Sequence, residues 1–224
     1  MLSIMEQLLA ERLALELKID VTQVAREYWE VIFLNRLFES RTGKDLIFKG
    51  GTALRLAYGS PRFSEDLDFS LLEDRMAREF KETTAGLVEP FAEADITDLA
   101  AKRWTYICEI RITEGYLAQP FRVKLEVSRR PAPGYKSELR LITSPATPLQ
   151  ALGRVATLEQ LYQDKQECIM DRTAPKDVFD LWFISQKLEI PYRPPETKIT
   201  PKEMKRDLAK YLPSDYQKVI GELI

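Results

Sequence analysis

Asp66 and Asp68 alternate with Leu67 and Phe69 in the run Phe63-Ser-Glu-Asp-Leu-Asp-Phe69. On a strand, side chains repeat with period two. Leu67 and Phe69 then face a core, and the two aspartates share the opposite face with β-carbons roughly 6–7 Å apart. Carboxylates that close repel one another unless a cation sits between them. Upstream, Leu46, Ile47 and Phe48 form a short apolar run that ends in Lys49-Gly50-Gly51-Thr52, a glycine turn opening a helix. Successive backbone N–H groups in such a turn cradle phosphate oxygens, and oxygen ligands suit hard divalent cations. The spacing points to a metal site beside a phosphate-binding turn. Neither half is decisive alone, since Gly-Gly is common in turns and Asp-x-Asp arises in many acidic loops.

Three further positions combine reactive groups with informative spacing. In Phe121-Arg-Val-Lys-Leu-Glu-Val-Ser128 the apolar residues face one way, while Arg122, Lys124, Glu126 and Ser128 face the other. If this strand lies near the aspartate strand, three carboxylates share one surface. The ordinary alternative is a solvent-facing Glu126 paired with Lys124 or Arg122. On the next candidate helix, Leu158, Leu161, Tyr162, Cys168 and Ile169 form an apolar stripe, and Lys165 interrupts it. A lysine there either snorkels along the surface or points into a cleft. Asp177 and Asp180, three apart, share a face of the following helix, whose first turn suits Pro175. The helix dipole alone accounts for an acid at Asp177.

Composition narrows the chemistry. The 224 residues contain no histidine, which excludes a histidine base, nucleophile or zinc ligand. Metal chemistry then rests on oxygen ligands and favours magnesium, with manganese as the alternative. A formal net charge of −2 argues against a protein that coats nucleic acid, while leaving room for a local basic patch. Basic residues gather at 122–140 (Arg129, Arg130, Lys136) and 193–210 (Lys198, Lys202, Lys205, Arg206). Cys108 and Cys168 lie far apart among apolar neighbours and read as free thiols of a cytoplasmic protein. No segment reads as a signal peptide or membrane span, so no membrane partner is expected.

The elements that must position these residues follow from periodicity. Leu8, Leu9, Leu13 and Leu17 mark a first helix, and Asp20 or Thr22 caps a second that carries Val24, Tyr28, Val31, Ile32 and Phe38 until Gly43. A helix is expected from about Glu73 to Pro90, with Met76, Phe80 and Leu87 on its apolar side. Between 102 and 142 the pattern is β. Trp104, Tyr106, Cys108, Ile110 and Ile112 alternate, the 121–128 strand follows, and Glu138–Ile142 reads as a third antiparallel strand. After Ser144-Pro-Ala-Thr-Pro148 the chain reads as helical, over Thr157–Met170, Pro175–Leu188 and a last polar segment. The expected division is residues 1–145 for a core with N-terminal helices and 146–224 for a helical part that completes the site.

The order of strand, Gly-Gly, helix, turn and Asp-x-Asp strand resembles the polymerase-β-like nucleotidyltransferases. The fuller string FKGGTALRLAYGSPRFSEDLDFS, from Phe48 to Ser70, resembles the AbiEii/AbiGii-type toxin nucleotidyltransferases, for which R-F-S-E-D-[LI]-D is diagnostic. The likeness extends to Val123-Lys-Leu-Glu-Val-Ser128, to the helix Leu158-Glu-Gln-Leu-Tyr-Gln-Asp-Lys165 and to Arg172-Thr-Ala-Pro-Lys-Asp-Val-Phe-Asp-Leu181. The resemblance implies an α/β fold, a polymerase-β-like core with a mixed sheet and a helical C-terminal part. It implies that Asp66, Asp68 and Glu126 hold the metal, that Lys165 contacts nucleotide phosphates, and that Asp177 is a catalytic-site residue, with Asp180 structural. Gly50, Gly51, Thr52 and Ser64 would seat the triphosphate, with Arg62 and Lys49 as further phosphate contacts. Family members often carry a lysine after the leucine of Gly-Gly-Thr-x-Leu. Here Arg55 stands in that neighbourhood and would take over the phosphate contact, a departure from the family's pattern.

The function implied is a metal-dependent, NTP-consuming nucleotidyltransferase, the toxin of a toxin–antitoxin pair, whose acceptor is the 3′ end of a tRNA. Its antitoxin is a separate polypeptide, or a kinase-like partner that modifies the motif serine. Two alternatives stand beside it: transfer to a small-molecule hydroxyl such as an aminoglycoside's, and a nucleotide-binding module without catalysis.

Overall fold

The computed structural model describes residues 5–72, 77–130 and 133–223. Helices α1 (Gln7–Leu17) and α2 (Val21–Glu39) open the chain, and a 3₁₀ turn (Thr42–Asp45) leads into β1 (Leu46–Lys49). Then come α3 (Gly50–Tyr58), β2 (Asp66–Leu71), α4 (Ala77–Val88), β3 (Ala94–Ala101), β4 (Thr105–Ile112) and β5 (Phe121–Ser128). The chain continues through β6 (Ser137–Ser144), β7 (Thr147–Ala156), α5 (Leu158–Asp171), α6 (Pro175–Lys187) and α7 (Pro201–Leu208) to a 3₁₀ segment (Ser214–Glu222).

The strands form one mixed sheet in the order β3-β4-β5-β2-β1-β7-β6. Central β2 runs antiparallel to β1 and parallel to β5, so the first motif and the Glu126 strand are neighbours. Leu67, Phe69, Val123, Leu125 and Val127 are buried, as their alternation requires. Helix α2 is the spine of that core. Every residue from Gln23 to Leu34 is buried, and the Asp20 side chain caps its start by accepting from the Thr22 N–H. Burying Arg26, Glu27 and Glu30 on a helix is tolerable only with partners. Arg26 reaches Glu65 at 3.0 Å, and Glu27 receives Arg55 at 2.7 Å and the Ser144 hydroxyl at 2.6 Å.

Several expectations from periodicity are corrected. Only Ala10 and Leu13 of α1 are buried, while Leu8 and Leu9 are exposed. The second helix stops at Glu39, before Gly43. The strand expected at Glu138–Ile142 exists as β6, but it lies at the far edge of the sheet from β4, paired with β7. Residues 147–156, read as the approach to a helix, form β7, a strand parallel to β1. The division expected at 145 therefore falls in the β6–β7 turn of a continuous sheet, and the helical part begins at Leu158. Strand β3 (Ala-Asp-Ile-Thr-Asp-Leu-Ala-Ala) escaped notice because a register shift between Ile96 and Asp98 breaks its alternation. Residues 73–76, including Met76, lie outside the described residues.

Candidate active site

The site is built on β2. In register, Asp68 lies opposite Lys49 of β1 on one side and Glu126 of β5 on the other. Asp66 is two residues back on the same face, opposite Lys124. Glu126 thus joins the two aspartates on one surface, although its carboxylate also takes the ordinary partner, Lys124, at 2.5 Å.

The glycine turn is fitted to these side chains. Gly50 has φ +79°, and a β-carbon there would stand 2.6 Å from Asp68 Oδ2. At Gly51 a β-carbon would meet Arg62 Nη2 at 2.2 Å and Ser64 Oγ at 2.8 Å. The Thr52 hydroxyl is buried and donates to the Asp66 carbonyl at 2.5 Å, tying α3 to the start of β2. Thr52 therefore anchors the turn from behind.

The opposite wall comes from α5 and α6. Lys165 is buried, with its ammonium 2.7 Å from both Asp177 Oδ1 and Asp180 Oδ2. Arg62 grips Asp180 bidentately, Nε to Oδ1 at 2.7 Å and Nη2 to Oδ2 at 2.8 Å, and also donates to the Phe63 carbonyl. Lys165 and Asp177 do converge, as a short connection between antiparallel helices predicts. Arg62, expected at a phosphate, has its guanidinium committed to Asp180. Arg55 does not join the site. It points to the rear, paired with Glu27 and donating to the Ser60 carbonyl, with its guanidinium 3.8 Å above the Phe63 ring.

Between floor and wall lies a cleft of about 330 Å³ lined by Gly50, Gly51, Ser64, Asp66, Asp68, Glu126, Lys165 and Asp177. Among the described residues, buried Asp177 Oδ2 has no hydrogen-bond partner there. Burial, then the charges of Asp66 and Glu126, push the Asp68 carboxyl up to about 6, against the pull of Lys49 and Lys165. Burial works against charge on Lys165 too, but Asp180 and Asp177 outweigh it and hold the ammonium protonated. Asp180, buried yet facing Arg62 and Lys165, stays below the usual carboxylate range.

The cleft also contains residues that motif reading passed over. Asp164, Cys168 and Arg172 line it with Leu161 and Lys165. Leu161, Cys168 and Arg172 follow from Lys165 by helical spacing, a signal present in the sequence once that lysine is placed inward, whereas Asp164 is its neighbour in sequence and does not. Tyr135 donates to Asp164 and lies under the Lys49 ammonium, 5.8 Å from ring centre to nitrogen. Lys176, inside the final motif, also lines the cleft. Within the basic stretches Arg122 pairs with Glu109, Arg140 with Glu138 and Arg206 with Asp207.

Three oxygen-donor carboxylates on one face, with their mutual repulsion recorded at Asp68, fit a hard divalent cation. As the side chains stand, no three acidic or cysteine groups among the described residues are gathered into a ready ligand set. Glu126 would have to leave Lys124 to complete one.

This fold and cleft define a nucleotidyltransferase. Its architecture is similar to that of a putative nucleotidyltransferase from Helicobacter pylori, with 21% identity, a TM-score of 0.59 and 92% of each chain covered. It is similar to MenT4, a nucleotidyltransferase toxin from Mycobacterium tuberculosis H37Rv, at 19% identity and TM-score 0.58, over 90% of this chain and 68% of that one. Helicobacter pylori JHP933 gives 22% identity and TM-score 0.56, over 76% of this chain and 69% of that one. A comparison with curated proteins finds no match. Residues 32–220 match the family model described as "Nucleotidyl transferase AbiEii toxin, Type IV TA system", and the chain belongs to that family. Among the described residues no helix is long and apolar enough to cross a membrane.

Proposed function

We propose that this enzyme transfers nucleotides from an NTP to the 3′ end of an RNA, a tRNA by the family likeness, and so acts in the cytoplasm as the toxin countered by a separate antitoxin. The observation that carries the reading is the meeting of Asp66, Asp68 and Glu126 with the Gly50-Gly51 turn in one cleft. In this reading Gly50, Gly51 and Ser64 seat the triphosphate, and the Thr52 hydroxyl fixes the turn to β2. Asp66, Asp68 and Glu126 would hold magnesium, or manganese in its place. A divalent cation bound there relieves their repulsion and offsets charge on phosphate oxygens.

The acceptor's terminal hydroxyl oxygen bonds to the α-phosphorus as the α–β phosphoanhydride bond breaks, and pyrophosphate leaves. Glu126, released from Lys124, takes the hydroxyl proton. Lys165 and Asp177, closed into a network with Arg62 and Asp180, fix α5 and α6 as the far wall of the cleft. Incubation with each labelled NTP, total tRNA and magnesium, followed by mapping of labelled 3′ ends, tests the proposal. Label on tRNA ends that disappears in Asp66→Ala supports it. No label with any NTP, or full transfer by Asp66→Ala, rules it out.

A further inference from the structure

We propose that Arg172, at the end of α5, and Lys176, in the first turn of α6, join Lys49 as the cations that meet the phosphates in this cleft, and that buried Lys165 and Arg62 do not. The assignment of those phosphates to a nucleotide rests on the transferase reading above. The expectation it replaces gave that role to Lys165 and Arg62.

The argument is one of charge commitment. Lys165 and Arg62 face Asp177 and Asp180 in a buried group of two cations and two carboxylates, closed by contacts of 2.7–2.8 Å. Its net charge is zero, so it presents little field to an incoming anion. Drawing either cation toward a ligand would leave a buried carboxylate undercompensated, which is strongly destabilising. Arg172 and Lys176 line the same cleft, and among the described residues the side chain of neither makes an ion pair or hydrogen bond. Arg172 is exposed and Lys176 half-buried. A guanidinium fork and an ammonium together match successive phosphate groups. Lys176 directly precedes Asp177, so α6 brings its open cation next to the closed network. These cations share the cleft with the Gly50-Gly51 turn, which favours a triphosphate over the extended backbone of an RNA.

Titration of the full-length protein with magnesium tripolyphosphate by calorimetry tests this directly, since the probe carries neither base nor sugar. Arg172→Ala and Lys176→Ala should each weaken binding by about tenfold while keeping the wild-type circular dichroism. The double variant K165M/D177N removes one charge of each sign and leaves Arg62 on Asp180. Its affinity should stay within about threefold of wild type. If the double variant does not fold, the two surface variants decide alone. The proposal is overturned if wild type does not bind tripolyphosphate, or if both surface variants bind it unchanged. It is also overturned if those variants keep tripolyphosphate but lose a short single-stranded RNA, which would reassign the cations to the acceptor backbone. Binding that depends on Arg172 and Lys176, with no transfer from any NTP, would uphold this assignment and sink the transferase reading.

Discussion

Replacing Asp68 by asparagine should stabilise the metal-free protein, by an amount that grows with pH. Burial and the neighbouring charges of Asp66 and Glu126 raise the Asp68 carboxyl from 3.8 to about 6. A displacement of that size corresponds to about 3 kcal/mol between its two protonation states. Below about pH 3.8 the carboxyl is neutral in both folded and unfolded chains, and the substitution gains nothing. Between there and about pH 6 the unfolded chain has lost its proton while the folded one keeps it, so wild-type stability falls as pH rises. Above about pH 6 the penalty is complete. Urea unfolding with a chelator present should therefore show Asp68→Asn more stable by about 1.5 kcal/mol at pH 5 and about 3 kcal/mol at pH 8. Saturating magnesium should reverse the order, because the wild type then gains a ligand set that the variant lacks. A variant no more stable than wild type at pH 8, or a gain that ignores pH, would mean the carboxylates are not crowded as the strand register places them.

The other substitutions carry opposite or neutral expectations. Asp180→Ala leaves Arg62 and Lys165 sharing one buried carboxylate and should destabilise by about 3–5 kcal/mol in urea at neutral pH. Because the Asp180 carboxyl is held low, its contribution is present above the ordinary carboxylate range and lost as pH falls through its folded value, so the difference should shrink in acid. Arg55→Met strands buried Glu27 and should cost about 3 kcal/mol in a melt, yet leave NTP affinity within about twofold, since Arg55 faces the rear. A large rise in KM for that variant would return Arg55 to the phosphate site. Gly50→Ala imposes about 1–2 kcal/mol of left-handed strain and displaces Asp68. Its kcat should fall by far more than its stability loss explains, and an active Gly50→Ala enzyme would contradict the fitted turn.

Much of the site was legible because its cues are local. Period-two alternation placed Asp66, Asp68 and Glu126 on polar faces, and the interrupted stripe left Lys165 a choice of surface or cleft, of which the structure has the cleft. Partner identity was not legible, because it depends on contacts between residues remote in sequence. Arg62 and Asp180 are 118 residues apart and Arg55 and Glu27 are 28 apart, and each arginine's neighbours in sequence suggest a phosphate as readily as a carboxylate. The missed strands have a similar cause. Strand β7 has no clean polar face, since Gly153 is seated against Phe38 of α2 while Leu152 is exposed. Its Pro148 reads as the end of a linker, and only pairing with β1 and β6 makes the segment a strand.

The cleft joins two groups of acids whose energetics have opposite sign, and that sign is a guide to role. On the floor, Asp66, Asp68 and Glu126 crowd one another, and the pull of Lys49 and Lys165 does not offset burial and repulsion, so the folded chain holds Asp68 at a cost. On the wall, Asp177 and Asp180 are matched by Lys165 and Arg62, and Asp180 is held charged at a profit to the fold. Acids kept in a stabilising network need no ligand to explain them. Acids kept in repulsion do, because neutralising Asp68 would stabilise the protein. Motif position cannot separate these cases, since Asp177 and Asp180 stand in one phrase and Asp66 and Asp68 in another. The stability change on neutralisation can. A gain for Asp68→Asn beside a loss for Asp180→Ala would locate the chemistry on the floor and the scaffold in the wall.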